Sequence, residues 1–356
     1  MRSIDEASTG PEVDADDPPG RPRTLLTMSP GMVDAVFPPA VLRRLEQVAD
    51  LRRPYAVDDF STPAAAAELA GVEVLVTGWG CPPVDAAVLA RAPRLRAVIH
   101  AAGTVRTFLS PTVFDRGIVV SSAAAANAVP VAEFTLAAII LGAKRVLPLA
   151  RMFQQRRTHR TAADLGGQHW LGTRGLTVGV IGASRTGRRV IELVLRTLEA
   201  DVLLYDPYLD DGEAEQLGAR RTDLDTLVAT SDVVTVHAPQ TPATRHLIDA
   251  RRLDLMRPGT LLVNTARGAL VDIGALTEHL VSNRLDAVLD VTEPEPLPPE
   301  HPLWSLPNVF LTPHLAGAQG NEAARLGSLA VDELDRYARR QPLLHQVRQA
   351  SWERLA

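Results

Sequence analysis

The sequence predicts an α/β protein made of two doubly wound parallel-sheet domains with a cleft between them. Its 356 residues correspond, at roughly 150 residues per domain, to about two domains, each large enough to bury its own core. Short β-branched or leucine-rich runs alternate with helix-like stretches in two successive series. Strands separated by helices need crossover connections, which set the strands parallel and place ligands at their carboxyl ends. The third observation is a glycine-rich segment, Gly179-Val180-Ile181-Gly182-Ala183-Ser184-Arg185-Thr186-Gly187, which follows a predicted strand and opens a predicted helix.

Residues 1–22 are proline-rich and acidic with no apolar periodicity, so they read as a disordered acidic tail. The first series then runs through Thr24–Met28, Pro39–Ala49, Val72–Thr77, Val84–Arg91 and Ala97–His100, a βαβ rhythm. A helix from about Pro130 to Arg145 and a polar stretch around Arg156 to Gly167 separate it from the second series. Six strands are expected there: Thr177–Ile181, Asp201–Tyr205, Val233–Val236, Thr260–Asn264, Ala287–Leu289 and Val309–Leu311. A helical pattern over roughly Glu322–Arg340 is expected to return to the first domain. The expected division is 23–127 plus 318–356 for that domain and 128–317 for the other.

Composition narrows the function. Apolar residues make up 46% and charged residues 22%, the balance of an ordinary folded chain. With 37 basic against 42 acidic residues and a formal charge of -5, and no basic run interleaved with aromatics, nucleic acid is not an expected partner. Lys144 is the one lysine, and the abundance of arginine reads as compositional bias. Cys81 is the one cysteine, so no intrachain disulfide forms, and no Cys and His cluster has zinc spacing, so no metal is expected. The acidic N-terminus is unlike an export signal, making the cytoplasm the default. The most apolar stretch, Phe134–Ala143, falls well short of the roughly 20 residues that span a bilayer and reads as a buried helix.

The glycine-rich segment has the context of a dinucleotide phosphate turn. Gly182 makes the tight turn, Gly187 lets helix and strand pack closely, and the free N–H groups at the helix start, with Ser184, Arg185 and Thr186, face a pyrophosphate. Ser184 stands where the pattern has its middle glycine; its Cβ can weaken or re-angle the cofactor, but its hydroxyl can donate to a phosphate oxygen, so the change is expected to be tolerated. The second strand ends in Tyr205-Asp206-Pro207, with Asp206 nineteen residues after Gly187, where an acidic side chain hydrogen-bonds the ribose hydroxyls. No arginine follows closely, which favours NAD over NADP.

Four further segments, with the turn, resemble the D-isomer-specific 2-hydroxyacid dehydrogenase family over about residues 70–320. Asn264-Thr265-Ala266-Arg267-Gly268-Ala269-Leu270-Val271-Asp272 is similar to its N-x-x-R-G-x-x-V-D signature, which implies that Arg267 is catalytic. Leu289-Asp290-Val291-Thr292-Glu293-Pro294-Glu295-Pro296 resembles the segment in which the aspartate meets the nicotinamide and the later glutamate is catalytic, implying those roles for Asp290 and Glu295. Thr312-Pro313-His314-Leu315-Ala316-Gly317 resembles T-P-H-x-A-G, placing the catalytic imidazole at His314. The resemblance adds His237, Ala238, Pro239, Thr241, Thr265, Ala266 and Gly317 to the cofactor wall. It also implies a Rossmann NAD-binding domain, a smaller flavodoxin-like substrate domain and a homodimer. Structural roles at the joining helix fall to Asn127 and Glu133.

On the substrate side, the family's glycine-containing carboxylate loop resembles Ala101-Ala102-Gly103-Thr104. The acidic and amide residues that follow in the family are replaced by Val105-Arg106-Thr107-Phe108-Leu109. Expected substrate contacts are Ala102, Gly103 and Thr104, with Arg106 reaching an anionic tail and Trp79 walling the pocket. His100, His169 and His301 lack functional context.

The chemistry implied is hydride transfer between a nicotinamide and the C2 of a small 2-hydroxy or 2-keto acid. Reduction leaves negative charge on the carbonyl oxygen, so the site needs a proton donor and a planar cation: His314 as acid and base, Glu295 to stabilise its charged form, Arg267 as a two-pronged clamp. The alternative is an NAD(H)-sensing binding protein on the same fold. Formate oxidation is disfavoured because formate dehydrogenases pair the histidine with glutamine, and this chain has Glu295.

Overall fold

The computed structural model describes residues 20–52, 56–161 and 172–354. Most of the expected tail, residues 162–167 of the polar stretch, and His169 lie outside the described residues. The last residues of the expected tail are bonded to the fold: Arg21 donates to the Ala49 carbonyl (2.6 and 3.1 Å) and Asp50 N–H donates to the Pro22 carbonyl at 3.0 Å.

The chain divides into two compact units, one formed by residues up to Ala123 with Ala323–Trp352, the other by Ala124–Glu322. The first holds β1 (Arg23–Thr27), β2 (Asp50–Leu51), β3 (Val74–Thr77), β4 (Ala97–His100) and β5 (Val119–Ser122), all parallel in the order β2-β1-β3-β4-β5. That is the flavodoxin order. The second holds β6 (Leu176–Ile181), β7 (Ala200–Tyr205), β8 (Arg220–Arg221), β9 (Val233–Val236), β10 (Leu261–Asn264), β11 (Asp286–Leu289) and β12 (Val309–Leu311). Their order, β8-β7-β6-β9-β10-β11-β12, is the doubly wound dinucleotide arrangement, with its switch point between β6 and β9. A last strand, β13 (Gln346–Val347), runs antiparallel to β5 and completes the first sheet.

Burial on both faces explains the uninterrupted apolar runs. Along β9 and β10, Val234, Val236 and Leu262 join a core cluster on one face, while Val233 and Val263 join the cluster on the other. The helix Arg185–Thr197 begins at Ser184, whose hydroxyl accepts the Gly187 N–H, and buries Val190, Ile191 and Val194 at helical spacing.

One helix differs from expectation. It spans Ala124–Ala143, 20 residues, and Pro130 lies inside it instead of opening it. The alanine-rich start has strong helix propensity, and burial of the Pro130 ring in the core offsets the backbone bond and the close carbonyl contact that a proline inside a helix costs. The helix is long and apolar enough for a bilayer, yet Ala132, Ala138, Ile139 and Ala143 pack in the same core as Val190, Ile191 and Val194. Because the helix starts directly after β5, the unit boundary falls at 123/124, against the expected 127/128, and the return at 322/323 against 317/318.

The helix Ala323–Ala338 belongs to the first unit, where Ala323, Ala330, Val331 and Leu334 pack with Val36, Phe37 and Leu45. Gly327 permits this approach, since a Cβ there would overlap the Val36 carbonyl oxygen. Glu333, buried, accepts from Ser121 Oγ (2.8 Å) and from the N–H groups of Leu344 and His345 (3.0 Å each), clasping the end of the described chain onto β5.

Candidate active site

In the second unit the residues singled out by sequence follow the carboxyl ends of β6, β7, β9, β10, β11 and β12, where doubly wound sheets bind ligands. Gly182 has φ +97°, and a Cβ there would lie 2.8 Å from Ala238 N. At Gly187 a Cβ would overlap the Gly182 carbonyl oxygen. The glycines are therefore required by backbone geometry. Ser184 needs no glycine, having φ -61° and ψ 174°, and its hydroxyl caps the helix at 3.2 Å from Gly187 N. The Arg185 and Thr186 N–H groups, in the first turn, donate to no acceptor among the described residues. Asp206 accepts the Ala183 N–H (2.7 Å) and the Tyr208 N–H (2.9 Å), bracing the turn from the next strand. This cradle fits the pyrophosphate of a dinucleotide.

The β9 loop supports the turn from below. His237 donates its N–H to Ile181 O at 2.7 Å, and its buried ring meets Thr235 Oγ1 at 2.9 Å. Burial pushes the imidazole down to about 3, so it is neutral. It therefore supplies packing and backbone rather than an exposed ring, with Ala238 buried and Pro239 half-buried beside it. Thr241 caps a short turn reciprocally with Thr244. Thr265 is also turned inward, its hydroxyl 2.9 Å from that of Thr135.

Arg267 is set by its neighbours. Asn264, buried, accepts the Ala266 N–H at 3.1 Å and donates to the Arg267 carbonyl at 2.9 Å, fixing the turn after β10. A Cβ on Gly268 would overlap the Thr292 carbonyl, so the arginine turn and the glutamate loop lie in backbone contact. Burial pulls the Arg267 guanidinium below its ordinary value, and the charge of Glu295 pushes it back up. Of the two glutamates in that loop, Glu293 pairs with Arg245 at 2.8 Å. Glu295 instead places Oε1 2.8 Å from His314 Nδ1, both side chains remaining open to solvent.

His314 has φ +53°, a left-handed conformation costly for a residue with a Cβ and common at functional sites. Asp290 imposes it. Its carbonyl accepts the His314 N–H at 3.0 Å, while its buried carboxylate accepts from Thr312 Oγ1 (2.6 Å), Leu315 N (2.8 Å) and Ala316 N (2.9 Å). The sequence reading missed this holding function. Farther along, Asn127 Oδ1 accepts the Ala318 N–H at 3.0 Å beside Gly317.

Residues 136–316 match the model of the D-isomer specific 2-hydroxyacid dehydrogenase NAD binding domain. The chain is 34% identical to the glyoxylate reductase of Aeropyrum pernix over 258 residues, 72% of this chain and 77% of that one. This chain belongs to the D-isomer-specific 2-hydroxyacid dehydrogenase family. Within the family it is also 34% identical to the D-3-phosphoglycerate dehydrogenase of Archaeoglobus fulgidus over 273 residues, 76% of this chain and 50% of that one. It spans about half the length of the phosphoglycerate dehydrogenases it matches. The fold aligns with a protein from Thermus thermophilus at TM-score 0.71 and 30% identity, covering 92% of this chain and all of that one. A phosphoglycerate oxidoreductase from Rhizobium etli shares the fold at TM-score 0.78 with 23% identity, over 93% of this chain and 99% of that one. The second unit of this family member contains its NAD(H)-binding domain.

The first unit carries the loop that follows β4. Ala102 is buried, Gly103, Thr104 and Arg106 are half-buried, and the Arg106 N–H donates to Thr104 Oγ1 at 3.3 Å. No acceptor among the described residues takes the N–H of Ala102, Gly103 or Thr104. Trp79 is half-buried against the core cluster that includes Val76 and Ile99.

Proposed function

We propose that the chain is an NAD-dependent 2-keto acid reductase that forms a D-2-hydroxy acid, with Arg267, Glu295 and His314 as its catalytic residues. The observation that carries this reading is the hydrogen bond from His314 Nδ1 to Glu295, in a loop that contacts the Arg267 turn. An ionised glutamate only accepts, so Nδ1 bears the proton and donates. That leaves His314 Nε2 to give a proton to the carbonyl oxygen as charge develops there, and Glu295 to stabilise the resulting imidazolium. Arg267 forks onto the carboxylate and polarises the adjacent carbonyl. Bound NADH supplies the hydride.

The N–H groups of Ala102, Gly103 and Thr104, which meet no acceptor among the described residues, suit a substrate carboxylate, and Arg106 beside them suits a second anionic group. A homodimer is the proposed assembly. The helix Val146–Arg156 buries none of its residues within the chain and exposes Phe153, as a helix covered by a second copy does.

The deciding experiment follows NADH oxidation by the purified protein with glyoxylate, pyruvate, hydroxypyruvate and phenylpyruvate, with NADPH in parallel. Turnover of one of them establishes the reading and names the substrate. Tight NADH binding without turnover would move the assignment to an NAD(H)-sensing protein.

A further inference from the structure

The loop after β4 keeps three N–H groups without an acceptor among the described residues. Something must hold it open, and the five residues that follow, Val105 to Leu109, carry no acidic or amide side chain that could do so.

The side chain in the right place is His100, the last residue of β4, which is only 3% exposed. Its Nδ1 lies 2.8 Å from Thr77 Oγ1 at the end of β3, and its ring lies against Phe108 with centroids 4.8 Å apart. The Thr104 backbone favours the protonated ring. Burial outweighs that effect and pushes the imidazole down to about 3, so the ring is neutral and has one donor and one acceptor. Nδ1 meets the Thr77 hydroxyl, and the other ring nitrogen is left for the Thr104 side of the loop. Phe108 is fixed in turn, its carbonyl accepting the Val84 N–H at 2.7 Å.

We propose that His100 is a positioning residue for the substrate carboxylate: a strut between Thr77 on β3 and Phe108 that closes the base of the loop and holds Ala102, Gly103 and Thr104 with their N–H groups free. It acts through the loop and touches neither substrate nor cofactor. The inference rests on the 2-keto acid reading above.

The test uses the full chain and the 2-keto acid that it turns over, with oxamate as an unreactive mimic. In His100→Leu, KM for the keto acid and the oxamate dissociation constant should rise about tenfold or more, with kcat within about twofold and NADH affinity unchanged. Thr77→Val, which removes only the hydroxyl, should shift both in the same direction by a smaller factor. His100→Gln, which offers one acceptor and one donor, should recover most of the loss. Wild-type KM and oxamate affinity in folded His100→Leu, or in Thr77→Val if the former does not fold, would overturn the strut. So would a fall in kcat with KM unmoved. If the wild-type protein turns over no 2-keto acid and does not bind oxamate, the reductase reading itself fails, and the inference fails with it.

Discussion

Glu295 and His314 lie nineteen residues apart in the chain, after different strands, and meet at 2.8 Å through Oε1 and Nδ1. This contact fixes which edge of the imidazole is free. His314→Ala should therefore lower kcat by about 10²- to 10⁴-fold while NADH still binds. Glu295→Gln keeps the shape but removes the charge, and should lower kcat by a smaller factor. Steady-state kinetics together with NADH fluorescence titration check both.

Asp290 should prove a holding residue for His314. Replacing it by Asn puts an amide donor where a carboxylate now accepts three bonds from the Thr312–Ala316 loop. The expected cost is about 1–3 kcal/mol of stability, with a reduced kcat because the strained His314 backbone loses its support. Chemical denaturation and kinetics on the same preparation test this, and an Asn variant with both values intact would refute it.

In the phosphate turn, Ser184→Ala should cost about 1 kcal/mol through loss of the helix cap, whereas Ser184→Gly should cost only a few tenths. Gly187→Ala should be worse than either, about 1–3 kcal/mol, because its Cβ meets a backbone oxygen that has little room to yield. Its NADH affinity should fall too. Denaturation midpoints and NADH titrations of the three variants give the order.

Asp286 carries a pH signature. Burial raises its carboxyl to about 6, against the pull of Arg145 at 3.3 Å. The folded state thus holds a proton that the unfolded state has released, so stability should decline as pH rises from about 4 to about 6. In Asp286→Asn that contribution to the slope should vanish. Denaturation of both proteins across this range reads it directly.

The second unit was largely legible in the sequence because its strands are apolar on both faces and its glycines are demanded by backbone contacts. β2 and β8 were not, since each pairs through only two residues and carries no period. Pro130 hid the first turns of its helix because proline usually opens one. The links around Asp290 come from register: Leu289 pairs with Leu311, so the residues after each strand meet, and nothing in the spacing along the chain announces that. His237 was legible as part of a loop, but the inward turn of its ring depends on the fold. The strand-end position of His100, one residue before the glycine loop, was the available signal for it.

The Glu333 clasp bears on how the protein is made. The first sheet lacks β13 and the helix Ala323–Ala338 until the ribosome has passed through the entire second unit. At roughly 5–20 residues per second, the intervening stretch takes on the order of ten to forty seconds to emerge. Throughout that interval Val36, Phe37 and Leu45 await their covering helix. The order of synthesis thus leaves that apolar face of the amino-terminal segment open while the whole dinucleotide unit is already available to fold.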